Sequence, residues 1–378
     1  MGLLRPLRAG IAVLLSFGIA LLPVHALVSL NDGRDKIFIN TSVSTGYDSN
    51  LFANSSGGGD YSYSLNLGLE YIRHAGLIGM DASVAIDANR YGKYTNENFQ
   101  NPTFRTEFTK QSGRTTGSLV LSAVRQSRAD TAANIRDVSW NYNAGLNLKY
   151  PVIERYSLSG NVAFSQTDYV DNPALVNLSS YSAGLDLFYV YTTDRDLLAG
   201  YHFQENETSA NSKTYDHSFT AGISGRIFWL FHGALRAGYS IHDPVGSSDQ
   251  SYGSWTANGS AGWNPTKRLT VTGQLSKAVG TTSTDVSVDT LATSVDAQYA
   301  VNSKTAFDLG TGLSQSRFLG RLGGGRHDVN WNWNFTFNRT LTNRLKFSFS
   351  YTFAENWSTV SFSDFVQQSV TMSLASRF

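Results

Sequence analysis

Residues 329–338 read Val-Asn-Trp-Asn-Trp-Asn-Phe-Thr-Phe-Asn, apolar at every odd position and polar at every even one. A period of two puts the two sets on opposite faces of an extended strand. The pattern returns throughout the chain. Tyr61, Tyr63, Leu65, Leu67, Leu69 and Tyr71 alternate with Ser62, Ser64, Asn66, Gly68 and Glu70, and residues 138–150, 215–227 and 345–353 behave alike. The spacing of three and four that marks an amphipathic helix is nowhere sustained. The chain is therefore all-β. About 18 segments (16–18 within the error of the boundaries) are long enough to cross a bilayer as tilted strands.

The strands are expected near 36–48, 61–72, 78–91, 102–110, 116–127, 137–150, 155–169, 179–191 and 196–206. They continue near 214–227, 233–242, 252–263, 268–279, 288–300, 304–316, 328–339, 344–354 and 365–378. The connections alternate in kind. Short turns such as 151–154 and 192–195 follow even strands, and longer polar loops such as 50–60, 92–101 and 317–327 follow odd ones. Short periplasmic turns and longer outside loops are the asymmetry of an up-and-down antiparallel barrel in an outer membrane, and they put both termini in the periplasm. One open sheet of this width would expose sticky edges, whereas closure removes them.

A membrane setting also explains the composition. Aromatics make 13% of a chain whose mean hydropathy is −0.22. They collect at strand ends on the apolar face: Tyr71, Tyr150, Tyr156 and Trp263 at one end, Tyr47, Tyr61, Tyr169 and Trp255 at the other. Two aromatic girdles with an aliphatic band between them suit two lipid–water interfaces. Arg90, Arg125 and Lys277 fall on or near the same face at the outer ends, where they can pair with lipopolysaccharide phosphates or snorkel.

The N-terminus supplies the compartment. Arg5 and Arg8 precede an apolar run at 11–22, and Val24-His25-Ala26 offers a cleavage site. Residues 1–26 thus read as a signal peptide, 27–35 as a short periplasmic segment and 36–378 as the barrel.

The polar faces give the lumen wall, mostly Ser, Thr, Asn and Gly. Its charged and amide candidates are Glu70, Asp81, Asp87, Arg105, Glu107, Lys149, Asp186, Arg226, Arg236, Asp296, Asp308, Asn330, Asn332 and Asn334. The pairs Asp81/Asp87 and Arg226/Arg236 come from different strand neighbourhoods and would set a weak transverse field. With no segment long enough for a plug and only modest loops, a barrel of this size is expected to hold a fairly open, nearly neutral channel. Such a wall exchanges hydrogen bonds with hydrophilic solutes and discriminates poorly by charge.

Other chemistries find little support. A net charge of +1 with 16% charged residues leaves no basic surplus for nucleic acid. The absence of cysteine removes disulfides, thiolate nucleophiles and Cys-based metal sites. His202 and His242 face inward without zinc-ligand spacing, so no metal and no cofactor are expected. His242 with Asp243 and Ser240 is the one local cluster that resembles hydrolase chemistry, and the chain is not read as an enzyme. The Gly-rich run at 320–328 lacks the Lys-Ser/Thr of a phosphate loop and reads as an outer loop.

Two resemblances add to this reading. The last strand places Val370, Met372, Leu374 and the terminal Phe378 on one face. It resembles the C-terminal signal through which the barrel-assembly machinery recognises its clients. Residues 43–53, Val-Ser-Thr-Gly-Tyr-Asp-Ser-Asn-Leu-Phe-Ala, carry Gly46, Tyr47, Asp48 and Asn50. They resemble the opening of outer-membrane β-barrel porins encoded with bacterial exopolysaccharide genes. That resemblance implies a passive conduit for polysaccharide across the outer membrane, beside a periplasmic export protein, and it supplies no catalytic residues. A general diffusion porin for small hydrophilic solutes and a structural or adhesive surface barrel are the alternatives.

Overall fold

The computed structural model describes residues 28–30, 34–74, 76–170, 172–228, 230–245, 250–320 and 325–378. The signal peptide expected at 1–26 lies outside the described residues. A short strand, Val28–Leu30 (β1), pairs antiparallel with the start of Asp35–Asp48 (β2), with Val28 opposite Ile37.

Alternating segments follow one another as β3 (Asp60–Arg73), β4 (Gly79–Tyr91), β5 (Phe99–Lys110), β6 (Thr116–Asp130), β7 (Ile135–Ile153) and β8 (Tyr156–Tyr169). Next come β9 (Leu178–Thr192), β10 (Arg195–Thr208), β11 (Lys213–Phe228), β12 (Phe231–Val245), β13 (Tyr252–Thr266) and β14 (Leu269–Thr281). The last are β15 (Ser287–Asn302), β16 (Thr305–Phe318), β17 (His327–Thr340), β18 (Leu345–Ser358) and β19 (Phe365–Arg377).

From β2 to β19 each strand pairs antiparallel with its neighbours in sequence, and β19 returns to β2, closing a barrel of 18 strands. The closure reaches the last residue. The Phe378 N–H donates to the Ile39 carbonyl at 2.9 Å, and the Ile39 N–H donates back at 3.0 Å. Closure leaves no row of unpaired backbone groups in hydrocarbon.

The faces are inverted relative to a soluble sheet. Along β3 Tyr61, Tyr63, Leu65, Leu67 and Leu69 are exposed while the polar residues between them are partly covered. The register carries this outward face around the wall, with Leu67 opposite Ile86 and Thr41, and Val84 opposite Phe104. Large apolar residues of most strands are exposed in the same way.

Three expectations about the outer surface need correction. Tyr169 pairs with Ser139 on the lumen side and is no part of the outer girdle, because the polar register of β8 puts Thr167 and Tyr169 inward and Gln166 and Asp168 outward. The outward aromatics of β17 and β18 are not confined to strand ends. Trp333 packs on Tyr351 at 4.9 Å and on Phe353 at 6.3 Å between ring centroids, so a belt of rings runs through the middle of this sector. Lys277 is only 7% exposed and ion-paired with Asp289, so it does not reach for lipid phosphates.

The sidedness makes a direct prediction. Leu67→Arg, in the middle of the lipid face, should destabilise the barrel in bilayers by about 2–4 kcal/mol, whereas Asn66→Arg, facing the lumen, should cost far less. Denaturant unfolding in lipid vesicles measures both; equal losses would contradict the inverted faces.

Candidate functional site: the lumen and its outer mouth

The register sends every lumen candidate of β3 to β10 and β15 to β17 inward. Asn330, Asn332 and Asn334 line β17 opposite Ser314, Gly312 and Gly310. Inward Asn143, Asn147, Lys149, Asp296, Asn332 and Thr371 remain exposed, so the lumen is hollow through its middle. Several charges on this wall are paired locally. Arg105 bonds Glu107 at 3.1 Å, Arg377 bonds Glu70 at 3.0 Å beside Asn40, and Asn338 donates to Asp308 at 2.6 Å. Lys149 lies over the Phe188 ring at 4.7 Å, and Asp87 faces Asn66 and Asn101 in the register.

The transverse field expected from Asp81/Asp87 against Arg226/Arg236 is not built. Asp81 meets His74 at 2.9 Å and Arg226 meets Asp194 at 3.4 Å, both at the short-turn end. Arg236 reaches back to β9 and donates to both oxygens of Asp186 at 2.8 and 2.9 Å, with His202 3.2 Å from the same carboxylate. Glycines make this cluster possible. A Cβ on Gly200 would collide with the Asp186 carboxylate, and one on Gly184 with the His202 ring. The side chains therefore lie flat on the wall and leave the lumen wide.

The long-loop end, which outer-membrane barrels turn outward, is different. Most of the buried apolar residues are gathered there: Leu51, Ala53, Leu175, Val286, Phe318 and Phe365. Inward polar residues at this level, including Ser139, Asp216, His242, Asp328 and Asn356, are buried too. The expectation of an open channel thus holds for the middle of the lumen and fails at the outer mouth.

Two interruptions of the ladder produce the cover. β5 and β6 pair only from Thr103 and Val124 toward the short-turn end, so residues 99–102 and 125–128 share no ladder bonds, although the Arg125 side chain donates to the Gln100 carbonyl at 2.9 Å. β13 and β14 likewise pair only from Ala257 and Lys277. Beyond each seam the later hairpin passes inside the earlier strands. Arg136 shares the outward parity of Trp140 on β7, yet it bonds the Tyr91 hydroxyl at 2.9 Å and Glu97 at 3.3 Å and lies over the Phe99 ring. Tyr91 and Phe99 are on the lumen side of β4 and β5. At the second seam Arg317 and Asp289, on the outward side of β16 and β15, both bond the hydroxyl of inward Tyr252 on β13.

The two flaps are tied to loops across the mouth. Arg326, in the loop after β16, donates to the carbonyls of Ala132 at 2.7 Å and Thr131 at 2.8 Å at the tip of the β6–β7 hairpin. Its guanidinium is held by Asp328 at 2.7 Å. Asn134 at the same tip donates to Ser363, which is fully buried, at 2.7 Å. The β14–β15 tip is tied through Asp285, which accepts from Thr208 at 2.9 Å and Ser212 at 2.6 Å, and through the Val176 N–H, which donates to Ser283. Arg326 and Asp285 gave no signal as site residues in the sequence, because their partners are fixed only by folding.

No family model and no curated protein matches this chain. Solved structures do. Pseudomonas aeruginosa OpdK, solved with vanillate, aligns over 90% of this chain and 99% of its own at 10% identity, with a TM-score of 0.52. The chain shares the fold of these proteins, a closed antiparallel β-barrel of the outer-membrane kind. Pseudomonas aeruginosa OccK2 aligns over 91% of this chain and 98% of its own at 10% identity with a TM-score of 0.51, and Acinetobacter baumannii OccAB2 over the same shares at 10% with 0.50. Identities this low carry the barrel and not its cargo.

The tie at Arg326 is testable. Arg326→Ala removes charge-assisted bonds worth about 1.5–3 kcal/mol each and should shift the balance from closed toward open by about tenfold or more. Single-channel recording in planar bilayers should show longer or larger openings; unchanged traces would mean the hairpin does not obstruct the pore.

Proposed function

We propose that this chain is a passive outer-membrane channel for uncharged or weakly charged hydrophilic cargo, and that the cargo is saccharide, an exopolysaccharide leaving the cell. The lumen wall carries the reading. Asn, Ser and Thr line its hollow middle, and Glu70, Arg105, Asp186 and Arg236 are each neutralised by a neighbour within hydrogen-bond reach. Sugar hydroxyls exchange hydrogen bonds with such a wall without meeting a one-signed ring. The likeness of residues 43–53 to porins encoded with exopolysaccharide genes supports the same cargo. In this reading a periplasmic export protein delivers polymer at the short-turn end. Lipopolysaccharide surrounds the outer rim, and Val370, Met372, Leu374 and Phe378 serve the barrel-assembly machinery.

Diffusion of small hydrophilic solutes is the second reading, favoured by the covered mouth and by the porin fold. A small solute needs only a partial opening, whereas a polymer needs the mouth cleared.

Two measurements decide between them. Under the first reading, planar-bilayer currents show weak ion selectivity and transient block by sugar oligomers, and a deletion strain accumulates polymer behind the outer membrane. Normal polymer secretion together with slower entry of small solutes would favour the second. Secretion and solute entry both unchanged would remove both.

A further inference from the structure

The local cluster of His242, Asp243 and Ser240 dissolves on folding. Ser240 accepts from Ser218, and Asp243 accepts from Ser251. His242 instead finds two partners distant in sequence. Its Nδ1 is 2.5 Å from Oδ1 of Asp216 on β11, and its Nε2 is 3.3 Å from Oγ of Ser287 at the start of β15. Asn206 donates to the other Asp216 oxygen at 2.9 Å. The order of contacts is carboxylate to Nδ1 and hydroxyl to Nε2. It fixes the imidazole with its proton toward Asp216 and its lone pair toward the serine, the arrangement a nucleophilic serine requires.

The second observation is a cavity of about 310 Å³ that touches both Ser287 and His242. Pro244, Val245, Val286 and Leu319 form its apolar side, and Arg317 opens into it. It lies where the second flap overlaps the wall, reached from the mouth. His242 is 3% exposed and Asp216 7%, so the pair is shielded while the serine borders the cavity.

We propose that Asp216, His242 and Ser287 form a nucleophilic centre that hydrolyses small carboxylic esters, an activity separate from transport. Ser287 Oγ attacks the ester carbonyl carbon as His242 Nε2 takes the hydroxyl proton. The bond to the alkoxy oxygen breaks and the alcohol leaves with that proton. Water then attacks the acyl-serine, passing a proton to His242, and the carboxylic acid departs as the proton returns to Ser287. No oxidant, metal or cofactor is consumed. Arg317, whose guanidinium donates to the Tyr252 hydroxyl, lines the same cavity and is a cation that can turn toward the oxyanion. Asp216 is a positioning residue, and the apolar side of the cavity suits a short acyl chain.

The test uses the full mature barrel, refolded in detergent, with a fluorophosphonate label and p-nitrophenyl acetate. Folding of each variant is checked by the gel mobility of unheated samples. The expected result is label on Ser287, and hydrolysis falling by roughly a hundredfold or more in Ser287→Ala and His242→Gln. Asp216→Asn should lower kcat with KM little changed. The proposal is overturned if the folded barrel takes no label and hydrolyses the ester no faster than buffer, or if Ser287→Ala keeps the wild-type rate. A merely structural tie between flap and wall would alter conductance in these variants and leave no labelled serine.

Discussion

Hydrocarbon offers no partner to a backbone N–H or C=O, and that deprivation organises the rest of this molecule. Each strand must pair on both sides, so the sheet closes, and Phe378 is drawn into hydrogen bonds with Ile39 to finish it. Closure fixes a lipid side and a lumen side for every residue. The two-residue period of the chain then becomes a radial ordering, with Leu67 and Trp333 outward and Asn66 and Asn334 inward. The wall has no buried apolar core between layers; bilayer and water take that role on its two faces.

Apart from bulges at the short turns, the ladder of the described residues parts toward the outer mouth, at the β5–β6 and β13–β14 seams. Pro102 sits at the first seam, where its missing N–H forfeits nothing. Strand ends released from their neighbours can turn inward, and there they bury what little apolar core the molecule has. The charges drawn in with them are paired: Arg136 with Glu97, Lys277 with Asp289, Arg326 with Asp328. Unpaired, each would be costly to bury.

Strand positions were legible in the sequence because burial and alternation are the same fact in a barrel. The segment expected at 61–72 is Asp60–Arg73, and that at 328–339 is His327–Thr340. Inward placement of Asp186 and Arg236 was legible too. Their pairing was not, since it spans intervening strands and depends on small residues beneath the side chains. Lys277 lies where the wall has split, and there parity no longer tells lipid from lumen. His242 faces inward as its parity indicates, but its partners Asp216 and Ser287 come from distant strands. Arg326 lies in a Gly-rich loop and bonds a carbonyl 194 positions away, a contact without any local pattern.

The seams also determine what opening the mouth would involve. Each flap keeps its own hairpin ladder almost to the tip, Asp130 opposite Ile135 in one and Thr281 opposite Ser287 in the other. Neither flap keeps ladder hydrogen bonds at this level to the strand across its seam, although side chains reach over it, Arg125 to the Gln100 carbonyl in one and Asp289 to the Tyr252 hydroxyl in the other. A flap can therefore swing as a unit without giving up ladder hydrogen bonds, and the cost is set by these side-chain contacts, its tip ties and the apolar surface beneath it. Those ties are polar, each worth on the order of 1–3 kcal/mol. Cargo or a partner bound at the mouth can supply that much. The two seams lie nearly opposite each other in the strand order, and the flaps are tied to different loops. One flap can thus leave while the other stays, so the mouth has a partly uncovered state between the covered one and the one with both flaps displaced.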